Sequence, residues 1–191
     1  MKFQSALLRL IDVCAGLFGG LVALPVVLIL GLAVRAGSPG PALFKQARLG
    51  RNERVFTLYK LRTMAVGTPN SASHEVSTSY VTPLGVKLRR FKLDELPQLW
   101  NVLIGDMSLV GPRPGLPHHV ELTEARRREG VFDVRPGITG PAQIRDIDMS
   151  TPDLLAQTDR EYAASPNLVA YVRCVLLTVV GRGQGDALGG R

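Results

Sequence analysis

The sequence predicts a mainly helical α+β fold, a small domain with one short β-hairpin that is fastened to a membrane by an N-terminal apolar helix. Three observations lead there. An uncharged apolar run lies near the start of the 191-residue chain, polar and apolar residues alternate on both sides of a Gly-Arg-Asn turn at 50–52, and helical spacing governs most of the remainder. The length suits one compact domain and is too short for two ordinary ones. With 46% hydrophobic residues and a net charge of +7, the chain is not of the disordered class. A polytopic membrane protein is excluded as well, because a single apolar run approaches bilayer length.

That run is Val13–Val34, 22 residues without a charge. As a helix it would measure about 33 Å, close to the hydrocarbon thickness of a bilayer. It exceeds a typical signal-peptide core, and no small-x-small cleavage site follows it. Pro25 near its middle removes a backbone donor and favours a bend. Basic residues flank both ends: Lys2 and Arg9 before, Arg35, Lys45 and Arg48 after. A spanning helix kinked at Pro25 fits the length. A re-entrant hairpin that bends at Pro25 and leaves by the face it entered fits the proline and both flanks, and is the expected topology.

Residues 36–41 are turn formers, and 43–64 read as the hairpin. Six basic residues lie between Lys45 and Arg62, against one acid, Glu53. The Ser/Thr-rich stretch 65–82 has no periodicity and is expected to be a mobile loop. Helical spacing resumes near Gly85. Leu96, Leu99, Trp100 and Leu103 share one helical face, the pattern of a core-facing stripe. Proline-rich turns at 110–117 and 134–141 are followed or separated by helices at 118–130, 152–163 and 168–180. The last is too short to span a bilayer and carries Arg173, so it is a core or interfacial helix. The Gly-rich tail 181–191 is expected to fray. Cys14 and Cys174 sit in apolar stretches, which argues against a disulfide framework or a cysteine zinc site. His74, His118 and His119 are too few and too badly spaced for a metal cage.

Chemistry concentrates around Asp94 and Glu95, which are expected to open a helix, with Pro97 tolerated in its first turn. Two acids there could be ordinary capping. Lys87, Arg89, Arg90 and Lys92 lie just upstream, however, and hold Asp94 ionised. An ionised carboxylate among cations suits a nucleophile or a metal ligand. Arg113 and Arg135 each precede a proline, which holds them in extended backbone and presents each guanidinium stiffly, as bidentate phosphate recognition requires. Arg126, Arg127 and Arg128 fall on a helix expected to be solvated, where single substitutions should matter little. No phosphate-binding glycine loop, dinucleotide fingerprint or HExxH helix is present.

The segments FKQARLGRNERVFTLYKLRTM, VTPLGVKLRRFKLDELPQLWNVLIGDMSLVGPRP and VRPGITGPAQI closely resemble the bacterial sugar transferase family, the monotopic polyprenyl-phosphate phosphoglycosyl transferases. The resemblance runs from about Arg9 to Gly185. It implies transfer of a sugar phosphate from a UDP-sugar to undecaprenyl phosphate with release of UMP, using Mg²⁺, as the first membrane step of glycoconjugate assembly. It places the nucleophile on Asp94 and the metal ligand on Glu95. Phosphate contacts would fall on Arg89 and Arg113, and further on Lys60, Arg62 and Arg135. It also implies a re-entrant membrane helix over residues 1–37, broken at Pro25, and a transferase domain over 38–191 on the cytoplasmic face of the bacterial inner membrane. The lipid bilayer is then a partner, nucleic acid is not, and a homodimer is compatible. The family's Ser-Pro break is Leu24-Pro25 here, so the serine hydroxyl is missing. Pro141 stands where many members have Trp, and Arg145-Asp146 where many have Asn-Gly. The following IDMSTP (147–152) is similar to a subgroup that handles N-acetylated amino sugars. The residues alone admit two other readings, a membrane-anchored glycosyltransferase or nucleotide-sugar hydrolase, and a non-catalytic basic module on anionic lipid.

Overall fold

The apolar N-terminal run folds as one helical rod in the computed structural model, which describes residues 2–68 and 77–183. Helix α1 (Lys2–Cys14) passes through a π-helical turn (Ala15–Gly19) into α2 (Gly20–Gly37). There follow β1 (Leu43–Leu49), β2 (Val55–Leu61), α3 (Pro83–Arg90), α4 (Gln98–Ile104), β3 (Ser108–Val110), α5 (Val120–Arg128), β4 (Gly137–Thr139), α6 (Pro141–Ile144), α7 (Pro152–Ala163) and α8 (Leu168–Val179).

The rod from Gln4 to Gly37 is long and apolar enough to cross a membrane. Leu21, Val22, Leu28, Ile29 and Leu32 stand exposed along it, a surface that water would not favour and lipid would cover. Pro25 lies inside α2 without ending it. The α-helical ladder is instead interrupted at Ala15–Gly19, where α4 crosses. A Cβ on Gly16 would stand 3.1 Å from the Leu103 backbone, so only glycine admits this approach without a shift.

Both ends of the rod are gripped by the rest of the protein. Near the start, Arg9 donates to the Val102 and Leu103 carbonyls in the last turn of α4 at 2.7 and 2.9 Å. Asp12 is buried and accepts from Ser108 Oγ (2.9 Å), the Leu109 amide (2.9 Å) and Tyr171 Oη (2.8 Å). Burial, with the Asp12 charge beside it, pushes the Tyr171 phenol well above its usual range. At the far end Val34 packs with Leu61 and Leu88.

The hairpin forms as expected, β1 pairing antiparallel with β2 from Leu43↔Leu61 to Leu49↔Val55. Asn52 and Glu53 take left-handed φ values of 56° and 58° to reverse the chain. Period two divides its side chains: Gln46, Arg48, Leu58 and Lys60 point to the inner face and are buried. That inner face is mostly polar, which distinguishes it from an ordinary core strand pair. Asn101, fully buried on α4, closes the edge of β2 by donating to the Thr57 carbonyl at 2.8 Å and accepting from the Tyr59 amide at 3.2 Å.

The stripe expected to face the core does not. On and before α4 the buried residues are Asp94, Gln98, Asn101 and Val102, whereas Trp100 is 57% exposed and Leu96, Leu99 and Leu103 are half-buried. Leu99 and Leu103 rest against Gly19 and Gly16 of the membrane rod. A helical apolar face signals exclusion from water, and here the rod supplies that exclusion in place of the core.

A second pairing was not expected. β3 and β4 are parallel, with Ser108 opposite Gly137 and Val110 opposite Thr139. This brings the two proline-rich turns side by side. The helices at α5, α7 and α8 match expectation. α8 buries Tyr171 and Cys174 and turns Val169, Leu176 and Val179 outward, so it is both a core and a surface helix. The expected loop is pinned at its base by the Met64↔Val81 bridge and a 2.8 Å bond from the Ala65 amide to the Tyr80 carbonyl. Its centre, with His74, and the tail beyond Gly183 lie outside the described residues.

Candidate active site

Asp94 and Glu95 do not open α4. They sit in a separate 3₁₀ turn, Leu93–Glu95, and α4 begins at Gln98 behind Pro97. Lys92, at φ 55°, reverses the chain just before the turn. In a 3₁₀ turn successive side chains diverge by about 120°, so the two carboxylates address different directions. Asp94 is buried at 5% exposure. The Glu95 side chain reaches Arg113, its Oε1 standing 3.5 Å from Arg113 Nη2.

Glu95 and Arg113 line a narrow cleft together with Arg48, Leu58, Lys60, Gln98, Pro114 and Gly137. The inner face of the hairpin thus forms one wall, the acidic turn a second and the Gly-Pro-Arg-Pro turn a third. Larger spaces adjoin on each side. One shares Lys60 and is lined by Phe44, Gln46, Arg62, Met64 and Arg89 among others. The other shares Glu95 and Arg113 and is walled by Leu96, Leu99, Leu109 and Ile138. Lys92 borders it, its ammonium pushed down by burial against the opposing pull of Glu95.

Of the residues singled out in the sequence, Lys60, Glu95 and Arg113 meet in the cleft, and Asp94 belongs to the turn that walls it. Arg89 lies in the adjoining space. Its Nε donates to Thr63 Oγ1 at 2.9 Å, and its buried Nη1 has no hydrogen-bond partner among the described residues. Arg62 lines the same space, but its guanidinium is spent on the chain leaving α2: it donates to Pro39 O and, at 2.8 Å, to Ser38 O. Arg135 lies outside all three spaces. It donates to the Gly105 carbonyl at 2.8 Å, and burial beside Arg9 and Arg51 pushes its guanidinium down. Proline stiffening is therefore shared by Arg113 and Arg135, while proximity to the acidic turn belongs to Arg113.

Sequence reasoning missed Arg48 and Gln98, which line the cleft, and Gln46 beside them. Arg48 donates from Nε and Nη2 to Gln46 Oε1 at 3.0 and 2.6 Å. The signal was present in the hairpin, where Gln46, Arg48 and Lys60 share the strand face of Leu58. Arg126 was misplaced. It is 2% exposed and pairs with buried Asp159 at 2.6 Å, whereas Arg127 and Arg128 make exposed pairs with Glu53 and Asp153. Arg126 is the buried one of the three, set between α7 and the Arg113 loop.

Among the described residues no three His, Cys, Asp or Glu side chains gather as a metal cage. Mg²⁺ needs less: one or two carboxylates suffice when substrate phosphates complete its shell. The adjacent Asp94 and Glu95 are oxygen donors of that kind.

The family model for bacterial sugar transferases matches residues 3–183, which includes every element of this cleft. The chain belongs to the bacterial sugar transferase family. Among its relatives, a Caulobacter vibrioides protein named UDP-glucose:undecaprenyl-phosphate glucose-1-phosphate transferase is 40% identical over 180 residues, covering 90% of this chain and 67% of the relative. An Escherichia coli protein of the same name is 38% identical over 81% of this chain but only 35% of its own length. The exopolysaccharide production protein PSS of Rhizobium leguminosarum bv. phaseoli is 35% identical over 93% of this chain and 96% of its own. This sugar transferase chain therefore corresponds to a whole protein in one relative and to about a third of another.

Proposed function

We propose that the protein is a phosphoglycosyl transferase that moves a sugar phosphate from a UDP-sugar to undecaprenyl phosphate. The observation that carries this reading is a cleft where Glu95 meets Arg48, Lys60 and Arg113, with Asp94 buried in the same turn and an apolar rod of bilayer length on the same chain. Cations placed so densely suit a diphosphate, and the carboxylate of the neighbouring Asp94 suits attack on phosphorus.

In the first half-reaction an Asp94 oxygen bonds to the β-phosphorus while the bond to the bridging oxygen breaks. UMP leaves with that electron pair, and the sugar phosphate remains on Asp94 as an acyl phosphate. An oxygen of undecaprenyl phosphate then attacks the same phosphorus and returns Asp94 to its free carboxylate. Lys60, Arg89 and Arg113 hold phosphate oxygens; Arg62 and Arg135 support the backbone around them. Glu95 would hold Mg²⁺, which when bound offsets the charge of the diphosphate.

A panel of UDP-sugars incubated with and without polyprenyl phosphate tests the reaction class. UMP is expected as the nucleotide product, in multiple turnovers only when the lipid acceptor is present. Release of UDP would indicate glycosyl transfer, and sustained UMP release without acceptor would indicate hydrolysis.

Residues 1–37 act in this proposal as a re-entrant anchor and 38–191 as the transferase domain on the cytoplasmic face. What supports re-entry is that Arg9 and Asp12 near one end, and Val34 near the other, grip the same small body. Single cysteines at Gln4 and Ala36, in a background with Cys14→Ser and Cys174→Ala, should react with an impermeant reagent from the same side of the membrane. Ala36 is preferred to Gly40, whose φ of 110° and closeness to Arg62 forbid a side chain. Labelling from opposite sides would sink the re-entrant topology, and Pro25→Ala is expected to shift the population toward spanning.

A further inference from the structure

The turn that carries Arg113 is clamped carbonyl by carbonyl. Pro112 O accepts from the Gly137 amide (2.9 Å), Arg113 O from Arg126 Nη1 (2.7 Å), Pro114 O from Arg48 Nη1 (2.9 Å) and Gly115 O from the Leu49 amide (2.9 Å). Four consecutive acceptors are thus held from β4, α5 and β1. Prolines on both sides of Arg113 already restrict its φ/ψ choices. The freedom that remains is the tilt of the Arg113–Pro114 peptide plane, and the bond to Arg113 O fixes that tilt.

Arg126 is the one donor in this clamp that neither belongs to a neighbouring strand nor lines the cleft. It is 2% exposed, and its Nη2 meets Asp159 Oδ2 on α7 at 2.6 Å, Asp159 being 1% exposed. Burying two ions is costly, and an apolar pair of the same volume would join α5 to α7 as well or better. An apolar pair could not donate to Arg113 O. We infer that Arg126, oriented by Asp159, is a positioning residue that fixes the Arg113 backbone and so keeps the Arg113 guanidinium beside Glu95 over the cleft. The inference rests on the phosphate role proposed for Arg113.

Arg126→Ala would strand the Asp159 carboxylate and could unfold the chain, so Arg126→Lys is the sharper variant. It keeps a cation against Asp159, but lacks the planar fork that reaches carboxylate and carbonyl together. The purified full-length protein should keep its melting temperature within about 5 °C and lose roughly tenfold to a hundredfold in kcat/KM for the UDP-sugar. In an Arg113→Lys background the same substitution should cost less than about threefold, because the group it positions is already gone. If lysine does not fold, the paired change Arg126→Met with Asp159→Leu, which removes both buried charges, is read in the same cycle. Folded Arg126→Lys with parental activity, or an undiminished loss in the Arg113→Lys background, overturns the inference. An impaired Arg113→Lys beside a fully active Arg126→Lys would remove this inference alone, whereas parental activity in Arg113→Lys would remove the phosphate role with it.

Discussion

Asp94→Asn is expected to abolish both turnover and the covalent attachment of sugar phosphate to the protein. With labelled UDP-sugar and Mg²⁺ but no lipid acceptor, the parent should acquire one sugar phosphate per chain, visible by intact mass, and the variant none. The amide has the size of the carboxylate and fits its buried turn, but it lacks the anionic oxygen that bonds to phosphorus. Rates should fall by at least ~10³-fold while nucleotide-sugar binding changes little, the pattern of a lost transition-state interaction. Glu95→Gln should lower the rate and weaken its dependence on Mg²⁺ together. An adduct on any other residue, or normal turnover by Asp94→Asn, would show the assigned mechanism to be wrong.

Arg113→Lys should reduce kcat/KM about a hundredfold although the charge is kept, because lysine replaces a planar two-point donor with a single flexible one. The arginine is held between prolines with its side chain 20% exposed beside Glu95, so the clamped turn leaves a lysine no new route to the same oxygens. Arg127→Lys is the matched control. That arginine is exposed, pairs with Glu53 on the outside of the hairpin turn and should leave activity unchanged. Steady-state kinetics on the two variants decide the point, and equal tolerance at both positions would take Arg113 out of the phosphate site.

Much of this protein was legible along the chain because its signals are local. An uncharged apolar run of bilayer length excludes water wherever it folds, and Gly50-Arg51-Asn52 between alternating segments can hardly make anything but a hairpin. The helices at 152–163 and 168–179 were readable from spacing alone. Cations upstream of Asp94 and Glu95 drew attention to the acidic turn, although the cations that line the cleft, Arg48, Lys60 and Arg113, come from the hairpin and the proline turn.

Tertiary structure decided what depends on partners distant in sequence. β3 and β4 are three residues each, too short to show a period, and their pairing is what sets the two proline turns side by side. The face of α4 that carries Leu99 and Leu103 had the right spacing for a core, yet periodicity reports only that a face leaves water. That the apolar rod covers it, through Gly16 and Gly19, is set by contacts across eighty residues or more. The arginines divide for the same reason. Composition makes Arg113, Arg126, Arg127 and Arg135 alike, but a guanidinium acts through what stands within hydrogen-bonding distance. Only the fold puts Arg113 beside Glu95, Arg135 on the Gly105 carbonyl, Arg127 on the surface and Arg126 beneath the turn it holds. By itself the sequence determined where apolar surface and charge concentrate; the fold determined which charges share one cleft.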